Sequence, residues 1–282
     1  NGTDEAAAAA IAKSPDKVAY TFIADALGNV GTAAGRDAVV ASFAKIDNDA
    51  ALAGMALSLV NFPSDPKAET AFLDVYKKIG DETLLQTQAA KGTLMNVSAN
   101  LYDVKIVDWA IKEGTTTKAS EGTAEAIKGN ATNTILRLFD DSQKKAAEDA
   151  VNKLGLPADK AKFATAAKLV DSCKSDAACY AKVLDEPIVG APDQKFRFVK
   201  ATYMAAALGN DATRATLGGK LETVKDDAIR IALALAIDHL APKGDAQIAN
   251  TMDKIVQANV KSPAPSDDTL VKIAAKLRAR AL

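Results

Sequence analysis

Apolar side chains recur at helical spacing along most of the chain, and each run is bracketed by residues that start or stop helices. Ser14, Pro15 and Asp16 supply an N-cap, a first-turn proline and an acid suited to the helix dipole. The predicted helix behind them carries Val18, Phe22, Ile23, Ala26, Leu27 and Val30 on one face and stops at Gly31. A second helix opens at Thr32 or Gly35 and runs through Val39, Val40, Phe43 and Ile46. A third opens at Asp47 to Asp49, carries Leu52, Met55, Leu59 and Val60, and is broken by Pro63. Ser64, Asp65 and Pro66 start a fourth, with Phe72, Leu73, Tyr76 and Ile79 inward and Gly80 at its end.

These starts recur about every 16 or 17 residues, so a helix pair with its turns takes about 33 to 36, the period of a helical array. The rhythm returns at Ser142, Pro157, Asp176, Pro192, Asp211, Asp226 and Asp245, with Gly155 and Gly209 as stops. Between 82 and 141 it is looser. Asp81 is expected to open a long helix through Leu84, Leu85, Leu94 and Val97, bent near Gly92. Asp103 then caps a helix through Val104, Val107, Ala110 and Ile111 that ends at Gly114, and helix resumes after Ser120. An internal echo supports the array. Ala26-Leu27-Gly28-Asn29 and Ala207-Leu208-Gly209-Asn210 read as helix ends, followed by Asp49-Ala50 or Asp227-Ala228 and then by Pro63 or Pro242. Strand alternation and Asn-Gly or Asp-Gly hairpins are missing from the sequence. The expected fold is all-α, a single helical-repeat domain over 1–282. Its repeat array spans 16–256, a proline-containing spacer 261–266, and a terminal helix 267–282.

Composition agrees: alanine dominates, aromatics are 5%, and Gly and Pro number 16 and 9 in 282 residues. Charge excludes more than it suggests. Thirty-five Lys and Arg against 36 Asp and Glu leave a net −1, with no basic stripe, which argues against a nucleic-acid binder. The most apolar stretch, Ile229 to Leu240, is shorter than a bilayer span and contains Arg230, Asp238 and His239. The chain opens at Asn1 without an apolar leader, as a mature or trimmed form would.

The segment Lys225-Asp226-Asp227-Ala228-Ile229-Arg230, followed by Ile231-Ala232-Leu233-Ala234-Leu235 and Pro242, resembles a HEAT repeat of the armadillo-like α-solenoids. Asp226, Asp227, Ile229, Arg230 and Pro242 carry the resemblance, and Asp37-Ala38-Val39-Val40 and Asp211-Ala212-Thr213-Arg214 are weaker copies. No arginine follows Asp37 or Asp49 where the pattern wants one. The resemblance implies a right-handed α-α superhelix of antiparallel helix pairs whose inner helices contact a protein partner. Those inner helices are expected to include the ones near Asp37, Asp176 and Asp227. Asp176-Ala177-Ala178-Cys179-Tyr180 is similar to segments of secreted bacterial envelope proteins with such repeats.

Few residues point to chemistry. Cys173 and Cys179 lie across an expected helix break, where they form either a disulfide or two buried reduced thiols; a pair this close favours the disulfide and an oxidising compartment. His239, the one histidine, is expected to be a partly exposed helix-end residue whose imidazolium suits the dipole. Without a CxxC pair, an HxxxH, a GxSxG or a phosphate loop, no catalytic residue, metal ligand or cofactor is expected. Asp47-Asn48-Asp49 is the nearest approach to a calcium loop and falls short of one. Lys272, Lys276, Arg278 and Arg280 read as a solvated helix end, or else as a contact for an acidic partner or membrane surface. The expected function is therefore a non-catalytic, protein-binding scaffold in the bacterial periplasm or cell envelope, its partner and oligomeric state unspecified. The alternative is an enzyme or nucleic-acid binder with a cleft near Asp103, Asp108 and Trp109.

Overall fold

The computed structural model describes residues 17–187 and 191–281, with nothing said of the side chains of 17 and 18. Fifteen α-helices account for most of the described chain, and the fold is all-α. The helix start at Ser14 to Asp16 lies outside the described residues. In chain order the helices are α1 (Lys17–Val30), α2 (Ala33–Ser42), α3 (Asp49–Leu57), α4 (Pro66–Lys78), α5 (Ala90–Val97), α6 (Ile106–Thr116), α7 (Glu121–Leu138) and α8 (Lys144–Leu154). They continue as α9 (Pro157–Cys173), α10 (Ala177–Val183), α11 (Pro192–Leu208), α12 (Asp211–Lys220), α13 (Asp227–His239), α14 (Ala246–Ala258) and α15 (Asp267–Ala281).

Local chemistry sets seven of these starts. The side chains of Thr32, Asn48, Asp65, Asp176, Asn210, Asp226 and Asp245 each accept a backbone N–H in the first turn of α2, α3, α4, α10, α12, α13 and α14. Those bonds satisfy donors that have no partner inside the helix. Gly31 ends α1 at φ 75°, its N–H on the Leu27 carbonyl at 2.8 Å.

One expected helix is present only in its second half. The segment after Asp81 forms a two-residue antiparallel hairpin, β1 (Leu84–Leu85) against β2 (Gln88–Ala89), with Gln86 at φ 56° in its turn. Long-range bonds override the helical pattern there. The Asp49 carboxylate accepts from Gly80 N at 2.8 Å and Thr83 Oγ1 at 3.3 Å, and Glu82 accepts from Ser120 N at 3.0 Å and Ser120 Oγ at 2.7 Å. Helix starts only at Ala90.

Alternate helices pack into a row: α1 on α3, α3 on α5, α5 on α7, α7 on α11, α11 on α13 and α13 on α15. The others lie against it, with α2 on α1, α4 on α3, α6 on α7, α12 on α13 and α14 on α15. The helix at Asp227 belongs to the row as expected, whereas Asp37 lies in α2 and the helix at Asp176 packs on α11 and α12 from outside it. The internal echo holds for Asp49 and Asp227, each the first residue of its helix. It slips at the glycines: Gly209 caps α11, but Gly28 lies inside α1, packed against the Ser58 carbonyl.

The row closes on itself. An open superhelix keeps its first and last helices apart, yet α15 packs on α1 as well as α13. Leu270, Ile273, Ala274 and Leu277 are buried, as the amphipathic pattern predicts. Lys276 and Arg280, expected at a solvated end, are buried too. Asp238 on α13 is 5% exposed and accepts from Lys276 Nζ at 2.5 Å and from the Arg280 guanidinium. Lys276 also donates to the Asn61 carbonyl at 2.6 Å, tying the end of α15 to the turn after α3. The 261–266 spacer docks as well: buried Ser266 donates to Asp227 Oδ1 at 2.6 Å. At Gly244, φ 71°, a Cβ would stand 2.1 Å from the Leu277 carbonyl oxygen, so the α13–α14 turn presses directly on the α15 backbone.

Removing one partner from a buried ion cluster leaves uncompensated charge, at a cost of about 3–5 kcal/mol. Asp238→Ala and, separately, Gly244→Ala are therefore expected to lower the urea midpoint strongly and to expose α15 to limited proteolysis before the rest of the chain. A midpoint within experimental error of the parent's in both variants would contradict closure as the stabilising contact.

Candidate functional site

The closure brings several helix C-termini together, and a cavity of about 200 Å3 lies where they meet. Its wall comes from the turn Leu59 to Glu69, from Leu101 to Lys105 after α5, and from Ala207 and His239 at the ends of α11 and α13. The turn is fixed by Ser64 N, which donates to the His239 carbonyl at 3.1 Å, and by Asp65, which caps α4 and pairs with Arg36.

Three side chains give this cavity its chemistry. Glu69, in the first turn of α4, has its carboxyl pushed up from 4.5 to about 7, by burial first and then by the hydrogen bond and charge of Asp103; Lys105 opposes the shift. The Glu69 carboxyl is therefore partly protonated near neutrality. Asp103 also accepts from Lys105 N at 2.8 Å, which fixes it at the start of α6.

His239 is 6% exposed, which corrects its expected place at a solvated end. Burial holds its imidazole down from 6.5 to about 3, against the raising effect of Asp103, so the ring is neutral at physiological pH. Desolvation outweighs the helix dipole that was expected to favour the imidazolium. The ring lies against Tyr102, centroids 4.6 Å apart, and Tyr102 stacks on Tyr203 at 5.0 Å. Tyr102 adopts φ 51°, ψ 34°, a left-handed conformation that costs a bulky residue about 1–2 kcal/mol. Its hydroxyl is buried without a hydrogen-bond partner.

A second feature runs along the first four helices of the row. A depression of about 480 Å3 spans Thr21, Phe22 and Asp25 of α1, Gly54 and Leu57 of α3, the hairpin turn and Thr93 of α5. Across the hairpin, another of about 520 Å3 continues over Thr93 and Asn96 to Ala126 and Asn130 of α7. Phe22, placed by its pattern on the buried face of α1, is 71% exposed beside this groove; Leu27 of that face is buried as expected, together with Ala24 and Gly28.

The residues singled out in the sequence fall elsewhere. Cys173 and Cys179 are joined as a disulfide between the end of α9 and α10, Cα atoms 5.3 Å apart. Asp226 caps α13 and pairs with Lys195 at 2.6 Å, and Ile229 is buried in the core. Arg230 is buried and donates to the Val224 carbonyl from Nε at 3.2 Å and Nη2 at 2.7 Å. Pro242 lies in the turn beyond α13 and lines a shallow depression with His239 and Asn210. Asp103 reaches the cavity while Asp108 is exposed away from it, and Trp109 packs edge-on against Tyr76 at 4.8 Å as part of the core. Glu69 was not singled out, because an acid in a first turn reads as a dipole complement. Tyr102 gave no signal, since its backbone conformation is set by packing.

Among the described residues no group of three or more His, Cys, Asp or Glu could hold a metal ion, and no helix is long and apolar enough to cross a membrane. Comparison with known protein families, curated proteins and solved structures finds no match to this chain.

Two stability predictions follow from these groups. Glu69 titrates higher folded than unfolded, so its contribution is full below 4.5 and is lost as pH rises through about 7. His239 titrates lower folded than unfolded, so its contribution is present above 6.5 and is lost as pH falls toward 3. The slopes oppose each other between 4.5 and 6.5. Across a melting series from pH 4 to 8, Glu69→Gln should steepen the loss of stability on acidification and His239→Gln should relieve it. Profiles parallel to the parent's in both would refute the assignment. Separately, reducing the disulfide should cost about 2 kcal/mol on the chain-entropy estimate for so short a loop. Melting with and without reductant measures it, and the Cys173→Ser, Cys179→Ser double variant should be insensitive to reductant.

Proposed function

We propose that this chain is a non-catalytic, protein-binding scaffold of HEAT-like helix pairs that works outside the cytoplasm. The observation that carries the reading is the groove along α1, α3, α5 and α7. It crosses successive helices of one row, and Thr21, Thr87, Gln88 and Asn96 offer uncharged hydrogen-bonding groups along it. Exposed Phe22 and Leu84 lie beside them as apolar anchors. Such a surface suits an extended polypeptide, whose backbone bonds to polar side chains while one or two of its own side chains pack on the anchors.

The HEAT-like part of the reading rests on α12 and α13. Asp226 caps the second helix of the pair and Arg230, one turn later, binds a carbonyl of the connecting turn. The compartment rests on the disulfide, a bond that persists in oxidising surroundings. The alternative cleft near Trp109 has no comparable support, since that ring is packed against Tyr76.

Site-specific photocrosslinking in the source cell's extract provides the test. A photoreactive residue at position 22 or 93 should yield the same discrete protein adducts, whereas one at exposed Val271 should not. Adducts spread evenly over all three positions would sink the scaffold reading at this groove.

A further inference from the structure

We propose that the cavity walled by Phe62, Tyr102, Asp103, Glu69 and His239 binds a small organic ammonium ion. The site is distinct from the groove and does not depend on the scaffold reading. Its volume of about 200 Å3 is the liquid share of about six or seven waters, so it accommodates a ligand of a few heavy atoms.

Charge points to a cation. The lining residues that ionise are Asp65, Glu69, Asp103, Lys105 and His239. Asp65 is neutralised by Arg36, which is itself outside the lining, and burial keeps His239 uncharged. Lys105 is exposed. The Glu69 and Asp103 carboxyls therefore set the sign inside, and an ammonium can take the place of the proton on Glu69.

A second observation is independent of the acids. Tyr102 is 4% exposed and lines the cavity with a hydroxyl that bonds nothing, and no described side chain or backbone group hydrogen-bonds the His239 ring, 6% exposed, on the same wall. Of the two, the Tyr102 hydroxyl is the sealed polar atom without a partner, at a cost of about 1–3 kcal/mol, while the His239 ring keeps a nitrogen open to bond a guest. The Tyr102 and Phe62 rings add aromatic surface on which the alkyl part of an ammonium can rest. A metal ion fits less well, because the carboxylates and the imidazole do not converge as a ligand set among the described residues.

Isothermal titration calorimetry on the full chain with n-propylammonium chloride, n-propanol and zinc chloride tests the proposal. Propylammonium should bind saturably and at least about tenfold tighter than propanol, the size of effect expected of a charge-assisted hydrogen bond. Glu69→Gln and Asp103→Asn should each weaken it by about tenfold, and Tyr102→Phe by less. Binding to the unaltered chain should release a proton, read from titrations in buffers of different ionisation enthalpy, and should tighten from pH 6 to pH 8. That proton count needs no variant, so a variant that misfolds leaves the test intact. Equal affinity for propanol, binding without proton release, or saturable binding of zinc alone would each overturn the proposal.

Discussion

The closure of the helix row centres on one buried carboxylate. Asp238 lies near the end of α13, and the last turn of α15 delivers Lys276 and Arg280 to it. Burial alone would drive the Lys276 ammonium to give up its proton, and its pKa is indeed lowered; the Asp238 charge and hydrogen bond work against that. Such a cluster is a poor source of net stability, because desolvation offsets most of the attraction. It is a good source of specificity, because only one docking of α15 satisfies all three groups. The same turn supplies Lys276 to the Asn61 carbonyl, and Arg280 and Lys276 stand beside Gly31 at the end of α1. Three helix C-termini, with their unpaired carbonyls and negative dipole ends, thus share the cations of a fourth helix.

Basic side chains on backbone carbonyls recur beyond that cluster. Lys200 is fully buried, donates to the Phe139 carbonyl at the end of α7 at 2.5 Å and lies 3.9 Å from the Phe139 ring centroid. Arg214 reaches the Leu240 carbonyl at 3.2 Å, and Arg230 reaches Val224. A row in which alternate helices pack side by side must dispose of its carbonyl ends near one another. Long basic side chains do this by burying their stems and presenting only the head group. Arg230 is one instance of a device used at several points along the row.

Helix existence and helix starts were legible in the sequence because capping is local. Asp65 with Pro66, Asn210 and Asp226 announce their helices within three residues. The disulfide was legible for the same reason, as two cysteines six positions apart. The hairpin at Leu84 to Ala89 was not, because what breaks the helix is Asp49, more than thirty residues upstream. Ring closure was invisible too. Lys276 and Arg280 occupy the polar side of an amphipathic pattern, and only the arrival of Asp238 turns that side inward. The site was the least legible: Asp103 was grouped with Asp108 and Trp109, His239 was expected to be partly exposed, and Glu69 and Tyr102 carried no signal. Each owes its character to burial by segments distant in sequence.

The distribution of unmet hydrogen bonds bears on which surface matters. Among the described residues the buried side-chain atoms left without a partner are the Tyr76 hydroxyl, the Trp109 indole nitrogen and the Tyr102 hydroxyl. The first two belong to one edge-on aromatic contact in the core, where ring packing compensates. Tyr102 is packed on rings too, Tyr203 and His239, but it combines an unmet hydroxyl with a left-handed backbone and lines one cavity with Glu69, whose carboxyl is pushed up to about 7. Phenylalanine at position 102 and glutamine at 69 would relieve two of these costs without disturbing the packing, so the residues present are not the ones that stability alone would choose.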